Sequence, residues 1–186
     1  KKVLLKGIAN HHTLGALGAA AYPRAIEKRI QLLKEIGMNH IRTSHNPYSK
    51  EFMNLCDEYG IYVTAEANIE SHGMGYGERT LAKNPIYHDA HIERNQNNVY
   101  AFKNHPSVVV WSLGNEAGYG KNFEDAYDWI KSYDPSRPVH YEQAGQNGKT
   151  DIFCPMYYGY EGCEHYSKGD NWRPLIQCEY AHTMGN

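Results

Sequence analysis

Two glutamates stand where a carboxylate could do chemistry. Glu116 follows "VVVWSLGN", and Glu179 follows "PLIQC". Each preceding run is rich in β-branched and apolar residues and reads as a buried strand, so each acid leaves the core on a strand tip. A glutamate is ordinarily a surface loop acid, and two of them closing apolar strands fit that description poorly. Two carboxylates facing one pocket are the working parts of glycoside hydrolysis. One holds a proton for the leaving oxygen, and the other stays ionised to attack carbon or activate water. A separation of about 5 to 5.5 Å gives retention, and roughly 6.5 to 9.5 Å gives inversion.

Other chemistry-bearing residues share this placement: His11, His45, Glu66 and Tyr157 also sit at or just beyond strand ends. The chain carries 11 histidines, 16 tyrosines and 3 tryptophans, side chains that line sugar and metal sites but also pack in ordinary cores. Glu70 and His72 form a Glu-x-His pair on a loop, which on its own is a weak metal signal. The 4 cysteines (Cys56, Cys154, Cys163 and Cys178) show no C-x-x-C pair and read as reduced, mostly buried thiols.

The elements that must position these groups alternate regularly. Strands are expected at Lys2 to Ile8, His40 to Ser44, "IYVTAEA", the "VVVWSL" run that ends at Gly114, Val139 to Gln143, Asp151 to Tyr158 and Pro174 to Tyr180. Helices are expected from Pro23 to a stop at Gly37, over Lys50 to Gly60, near Ala90 to Lys103, and after a cap at Asn122. This alternation, with strands apolar on both faces, indicates a parallel sheet covered by helices. A Rossmann-like sheet would place a glycine-rich phosphate turn directly after its first strand, and "ANHHTLGALGAAAYP" has the wrong spacing. A (β/α)₈ TIM barrel places its working residues at the C-terminal ends of several strands, as here. Such a barrel needs eight strands and typically about 250 residues. With seven strands counted, the expectation is one domain over residues 1–186, a barrel truncated before its eighth strand.

Composition narrows the function classes. The 186 residues are 41% hydrophobic with a formal net charge of -2, the make-up of a globular protein. No Lys/Arg cluster is long enough to track a phosphate backbone, so no nucleic-acid partner is expected. No apolar run approaches a membrane span, so no membrane partner is expected either.

Several longer motifs carry a family resemblance. "RTSHNP" (Arg42 to Pro47), "EANIESHGM" (Glu66 to Met74), "NHPSVVVWSLGNEAGYG" (Asn104 to Gly120), "DPSRPVHYE" (Asp134 to Glu142), "CPMY" (Cys154 to Tyr157) and "CEYAHTMGN" (Cys178 to Asn186) resemble the catalytic barrel of family 2 glycoside hydrolases, among them the bacterial β-galactosidases. The resemblance implies a retaining hydrolase of terminal β-D-galactosyl residues, acting through a covalent galactosyl-enzyme intermediate. It implies Glu116 as general acid/base and Glu179 as nucleophile. It implies sugar contacts from His11, His45, Asn115 and His182, with His12 beside His11 in the first loop, and Tyr157 against the nucleophile. Glu70, His72 and Glu116 match the family's magnesium ligands. A sodium ion and a homo-oligomeric assembly are implied for the parent protein, with a β-galactoside as substrate.

The sequence departs from the pattern in two places. The first loop differs from the histidine-rich version, and Ala65 stands where many relatives have an acid. A cation on Glu116 would favour its ionised form, so burial and the nearby charge of Glu179 would have to keep it protonated. The rival readings are a β-glucuronidase of the same family, a metal-dependent hydrolase suggested by the histidines, and a catalytically silent piece of the barrel. "CEYAHTMGN" and the "NEAGYG" continuation favour galactose. Adjacent His11 and His12, with no catalytic acid in the metal-hydrolase role at the last strand, count against the metal-dependent hydrolase.

Overall fold

A computed structural model describes residues 3–20 and 22–182. Five parallel strands stand in sequence order, β1 (Gly7–Asn10), β2 (His40–Thr43), β3 (Tyr62–Glu66), β4 (Val108–Ser112) and β5 (Val139–His140). Four helices alternate with them: α1 (Pro23–Glu35), α2 (Lys50–Tyr59), α3 (His88–Phe102) and α4 (Lys121–Tyr133). The ends of the first two are written in the sequence. Pro23 occupies the first turn of α1, and Gly37 takes φ 82 beyond its last turn, where Met38 N–H donates to Leu33 O at 2.9 Å. Ser49 caps α2 by accepting the Phe52 N–H at 3.2 Å.

The strand period of two divides the residues between faces. In register, Ile41 lies beside Val63, Ala65 beside Trp111, and Trp111 beside Val139. These side chains bury against Ile30, Phe52, Met53, Val99, Phe123 and Ile130 of the helices, forming the main apolar core. The alternate positions, Arg42, Thr64, Glu66, Ser112 and His140, lie on the other face. That inner face is polar toward the C-terminal strand ends, while Val110, Ile152, Cys154 and Cys178 form a smaller apolar cluster. The outer face holds the sheet to its helices, and the inner face is where chemistry can be placed.

The barrel class stands, with corrections to its elements. The first strand begins later than the expected Lys2, and β5 is only two residues because Glu142–Ala144 turns into a 3-10 helix. The expected sixth and seventh strands are reduced to single parallel bridges, His140 with Ile152, Phe153 with Leu175, and Met156 with Glu179. Pro155 and Pro174 lack the N–H that a continuous ladder requires. Among the described residues β1 pairs only with β2, so the arc is not closed into a ring. Asn122 is not the cap of α4. That place belongs to Gly120, and the buried Asn122 amide donates to Leu81 O and Asn84 O, each at 3.0 Å. A fifth helix, α5 (Tyr160–Lys168), was not expected from the pattern.

Candidate active site

The site is built around a buried arginine. Arg42 is on the inner face of β2, 2% exposed, and its guanidinium donates three ways. Nε reaches Glu66 Oε2 at 2.6 Å, Nη1 reaches Glu179 Oε1 at 2.8 Å, and Nη2 reaches Asn115 Oδ1 at 2.8 Å. Burial works against this charge, but the carboxylates of Glu66, Glu142 and Glu179 outweigh it and hold the guanidinium firmly protonated. Glu66, fully buried, also accepts from Ser112 Oγ at 2.6 Å, and its other oxygen is 2.7 Å from His45 Nδ1. A buried carboxylate tied by three such contacts is rigid. The strand tips are therefore tied together beneath the mouth.

Glu179 sits on top of this network. Tyr157 Oη donates to Glu179 Oε2 at 2.6 Å, and His45 Nε2 lies 3.6 Å from Oε1. Burial alone would push the Glu179 carboxyl up; the Tyr157 hydrogen bond and the charge of Arg42 overcome it, so the group is held below its ordinary value. The same hydrogen bond to Glu179, together with burial, pushes the Tyr157 phenol up. Tyr157 occupies the left-handed region at φ 49, which non-glycine residues enter rarely. His182 Nδ1 is 3.1 Å from the Tyr157 oxygen. His11 packs edge-on against His45, ring centroids 5.3 Å apart. His12 faces Tyr48 instead.

The Glu116 side is more open. Gly114 takes φ 155 with its Cα against Ile69, where an added Cβ would stand 2.7 Å from the Ile69 carbonyl oxygen. Glu116 itself is left-handed at φ 44. Its carboxylate receives Tyr76 Oη at 3.2 Å and lies 3.1 Å from His72 Nδ1. Asn115 is buried, its Nδ2 donating to Glu70 Oε2 at 2.5 Å with a longer 3.5 Å contact to Glu116. Glu142, at the end of β5, accepts the Glu116 backbone N–H at 2.7 Å. Burial pushes the Glu142 carboxyl up to about 7, against the charge of Arg42.

Glu70, His72 and Glu116 each turn one ligand atom to a common point, all within 4.8 Å of one another. The separation of 3.1 Å between His72 Nδ1 and Glu116 Oε2 is close to the edge of an octahedron with bonds of about 2.1 Å, roughly 3 Å. Two carboxylates and an imidazole on a solvent-facing turn suit a hard divalent cation that keeps several waters. The residues present fit such an ion.

Residues 1–186 match the family described as glycosyl hydrolases family 2, TIM barrel domain. The chain belongs to this family. It is 44% identical over 201 residues to the β-galactosidase of Lactococcus lactis subsp. lactis, covering 100% of this chain and 20% of that protein. The β-galactosidase of Pectobacterium atrosepticum is 41% identical over 199 residues, again across 100% of this chain and 19% of the relative. The chain thus spans about a fifth of the length of these curated relatives. Among solved structures, a β-glycosidase from Bacteroides vulgatus superposes with a TM-score of 0.80 at 32% identity, covering 98% of this chain and 24% of that one.

In this family 2 domain the fold brings together most of the residues singled out by sequence. Glu116, Asn115, Glu70 and His72 form one group; Glu179, Tyr157, His45 and His182 form the other. His11 reaches the second group through His45. Sequence reading missed Arg42, Tyr76 and Glu142 and gave Glu66 no partner. Arg42 had a legible signal: a charge flanked by Ile41 and Thr43 inside a buried strand requires buried carboxylates.

Proposed function

We propose that this domain forms the catalytic centre of a retaining β-galactosidase. The observation that carries the reading is the state of Glu179: Arg42 and Tyr157 hold its carboxylate ionised and oriented, as a nucleophile requires. The galactose specificity is supported by the β-galactosidases to which the chain is similar.

In the first step Glu116 gives its proton to the glycosidic oxygen while a Glu179 oxygen attacks the anomeric carbon. The C–O bond to the aglycone breaks, and the sugar is left as an ester of Glu179. In the second step Glu116 takes a proton from water, whose oxygen displaces Glu179 and releases galactose. Arg42 and Tyr157 hold the two Glu179 oxygens during attack and take up the returning charge on release. His11, His45 and His182 surround the sugar beside Glu179. Asn115 stands between the two carboxylates, and its long contact to Glu116 is the one that a sugar hydroxyl would replace. Glu70, His72 and Glu116 would hold Mg²⁺, which supplies fixed positive charge beside the acid and ties down the 70–76 turn.

The test is mass spectrometry of the full-length protein after incubation with 2-deoxy-2-fluoro-β-galactosyl fluoride. A 2-fluorogalactosyl label on Glu179 is expected. Label on another carboxylate removes the assignment, and turnover with inversion at the anomeric carbon removes the mechanism. Labelling only by the glucuronyl analogue would transfer the reading to a β-glucuronidase.

A further inference from the structure

The side chain of Glu116 is held loosely, by Tyr76 and His72 on an exposed turn, yet its backbone is held tightly. Asn115 N–H donates to Ile69 O at 2.8 Å, Glu116 N–H to Glu142 Oε1 at 2.7 Å, and Ala117 N–H to Tyr141 Oη at 3.1 Å. Tyr141 Oη in turn donates to Gly118 O at 2.7 Å. Three consecutive amides at the tip of β4 are therefore satisfied from outside their own strand, two of them by neighbouring residues at the tip of β5. The Asn115 bond belongs to an isolated parallel bridge with Glu70, and the other two are bonds to side chains.

This matters because Glu116 is a left-handed residue with a Cβ, at φ 44. A residue enters that region only where the surroundings over-determine it. Rotation out of it would swing the Cα–Cβ bond, and with it the whole carboxylate, away from the mouth. The contact that pins the Glu116 peptide in this orientation is the Glu142 carboxylate. Either protonation state of Glu142 retains an acceptor oxygen, so the clamp does not depend on its charge.

We propose that Glu142 is a positioning residue for Glu116, fixing by its hydrogen bond to the Glu116 N–H the backbone turn that aims the acid at the leaving-group oxygen. The proposal rests on the assignment of Glu116 as general acid. It also accounts for the acid that ends "HYE", directly after β5, where the chain turns at once into the 3-10 helix Glu142–Ala144.

The test compares Glu142→Leu, Glu142→Gln and Glu116→Ala in the full-length protein, reading kcat/KM on aryl β-galactosides of graded leaving-group acidity. A misplaced acid harms substrates whose leaving group needs a proton and spares those, such as 2,4-dinitrophenyl, that leave without one. Glu142→Leu is expected to lose on the order of 10²-fold on the phenyl galactoside and about 3-fold or less on the dinitrophenyl one, the cost of a misaimed group. Glu142→Gln, which keeps a carbonyl acceptor, is expected to recover most of the loss. If Glu142→Leu does not fold, Glu142→Ala carries the same comparison. A loss uniform across the series, or one that Glu142→Gln shares in full, overturns the proposal while Glu116→Ala still shows the leaving-group dependence. If Glu116→Ala lacks that dependence, the acid assignment falls and the proposal falls with it.

Discussion

Two carboxylates share one mouth and live in opposite surroundings. Glu179 is embedded among a guanidinium, a phenol and an imidazole, and its side chain is 15% exposed. Glu116 is 26% exposed on its side chain and stands among other acids, Glu70 beside Asn115 and Glu142 on its own amide. The first is held by charge-assisted bonds to both its oxygens; the second is held by its backbone. The lesson is that one sheet can place two identical side chains in different surroundings, giving Glu179 a buried guanidinium from within the chain and leaving Glu116 on an open turn beside other acids. The open side is the one able to admit a metal ion.

The comparison can be broken most forcefully at Arg42. Replacing it in Arg42→Met leaves Glu66 buried without its cation, and breaking such a pair costs about 3 to 5 kcal/mol. The denaturant midpoint should fall accordingly. A midpoint close to wild type would mean that the network does not anchor the Glu179 side.

The open side should respond to metal instead. Magnesium at about 100 times its Kd would stabilise the fold by roughly 2.7 kcal/mol, and chelation would remove that gain. Glu70→Gln should abolish both the thermal shift and the heat of magnesium binding in calorimetry. Binding that survives in this variant moves the ion elsewhere.

Tyr157→Phe sharpens the contrast through pH. A hydrogen bond to a charged group contributes about 1.5 to 3 kcal/mol, so a loss of roughly 10- to 100-fold in kcat/KM is expected. The sign is fixed by Glu179, whose carboxyl is held below its ordinary value. Its contribution to stability is present above the unfolded carboxyl value, about 4.3, and is lost as pH falls through the lower folded value. Removing the phenol raises that folded value, so the acid limb of the rate profile should move to higher pH. An unmoved limb would detach Tyr157 from the Glu179 carboxylate.

The smallest effect is expected at Tyr76. Its hydroxyl meets Glu116 at 3.2 Å on an exposed turn, so Tyr76→Phe should cost about 0.5 to 1.5 kcal/mol. That corresponds to a few-fold loss in turnover of a phenyl galactoside, with the ring still stacked on His72. A loss as large as that of Tyr157→Phe would erase the difference between the two sides.

Much of this domain was legible from local pattern. Alternating strand and helix signals, Pro23 and Gly37 around α1, and the glycines after β4 are read within a few residues, because dihedral preference and periodicity are local properties. The glutamates at strand tips followed from the same reading. Local pattern also misled: "VHYEQ" looked like a full strand, although it turns after two residues, and α5 carried no clear signal. Asn122 looked like a cap because asparagine favours that position, whereas burial against the loop before α3 decided otherwise.

By itself, then, the sequence determined the parallel α/β alternation, the family motifs, and which acids leave the core. Only the tertiary structure decided who their partners are. Arg42 and Glu179 are 137 residues apart in the chain and 2.8 Å apart in space, and Glu142 reaches Glu116 across 26 residues. A period of two assigns a side chain to a face of the sheet, but not to a neighbour on that face. The neighbour depends on strand order and register, which the packing of every strand and helix settles together.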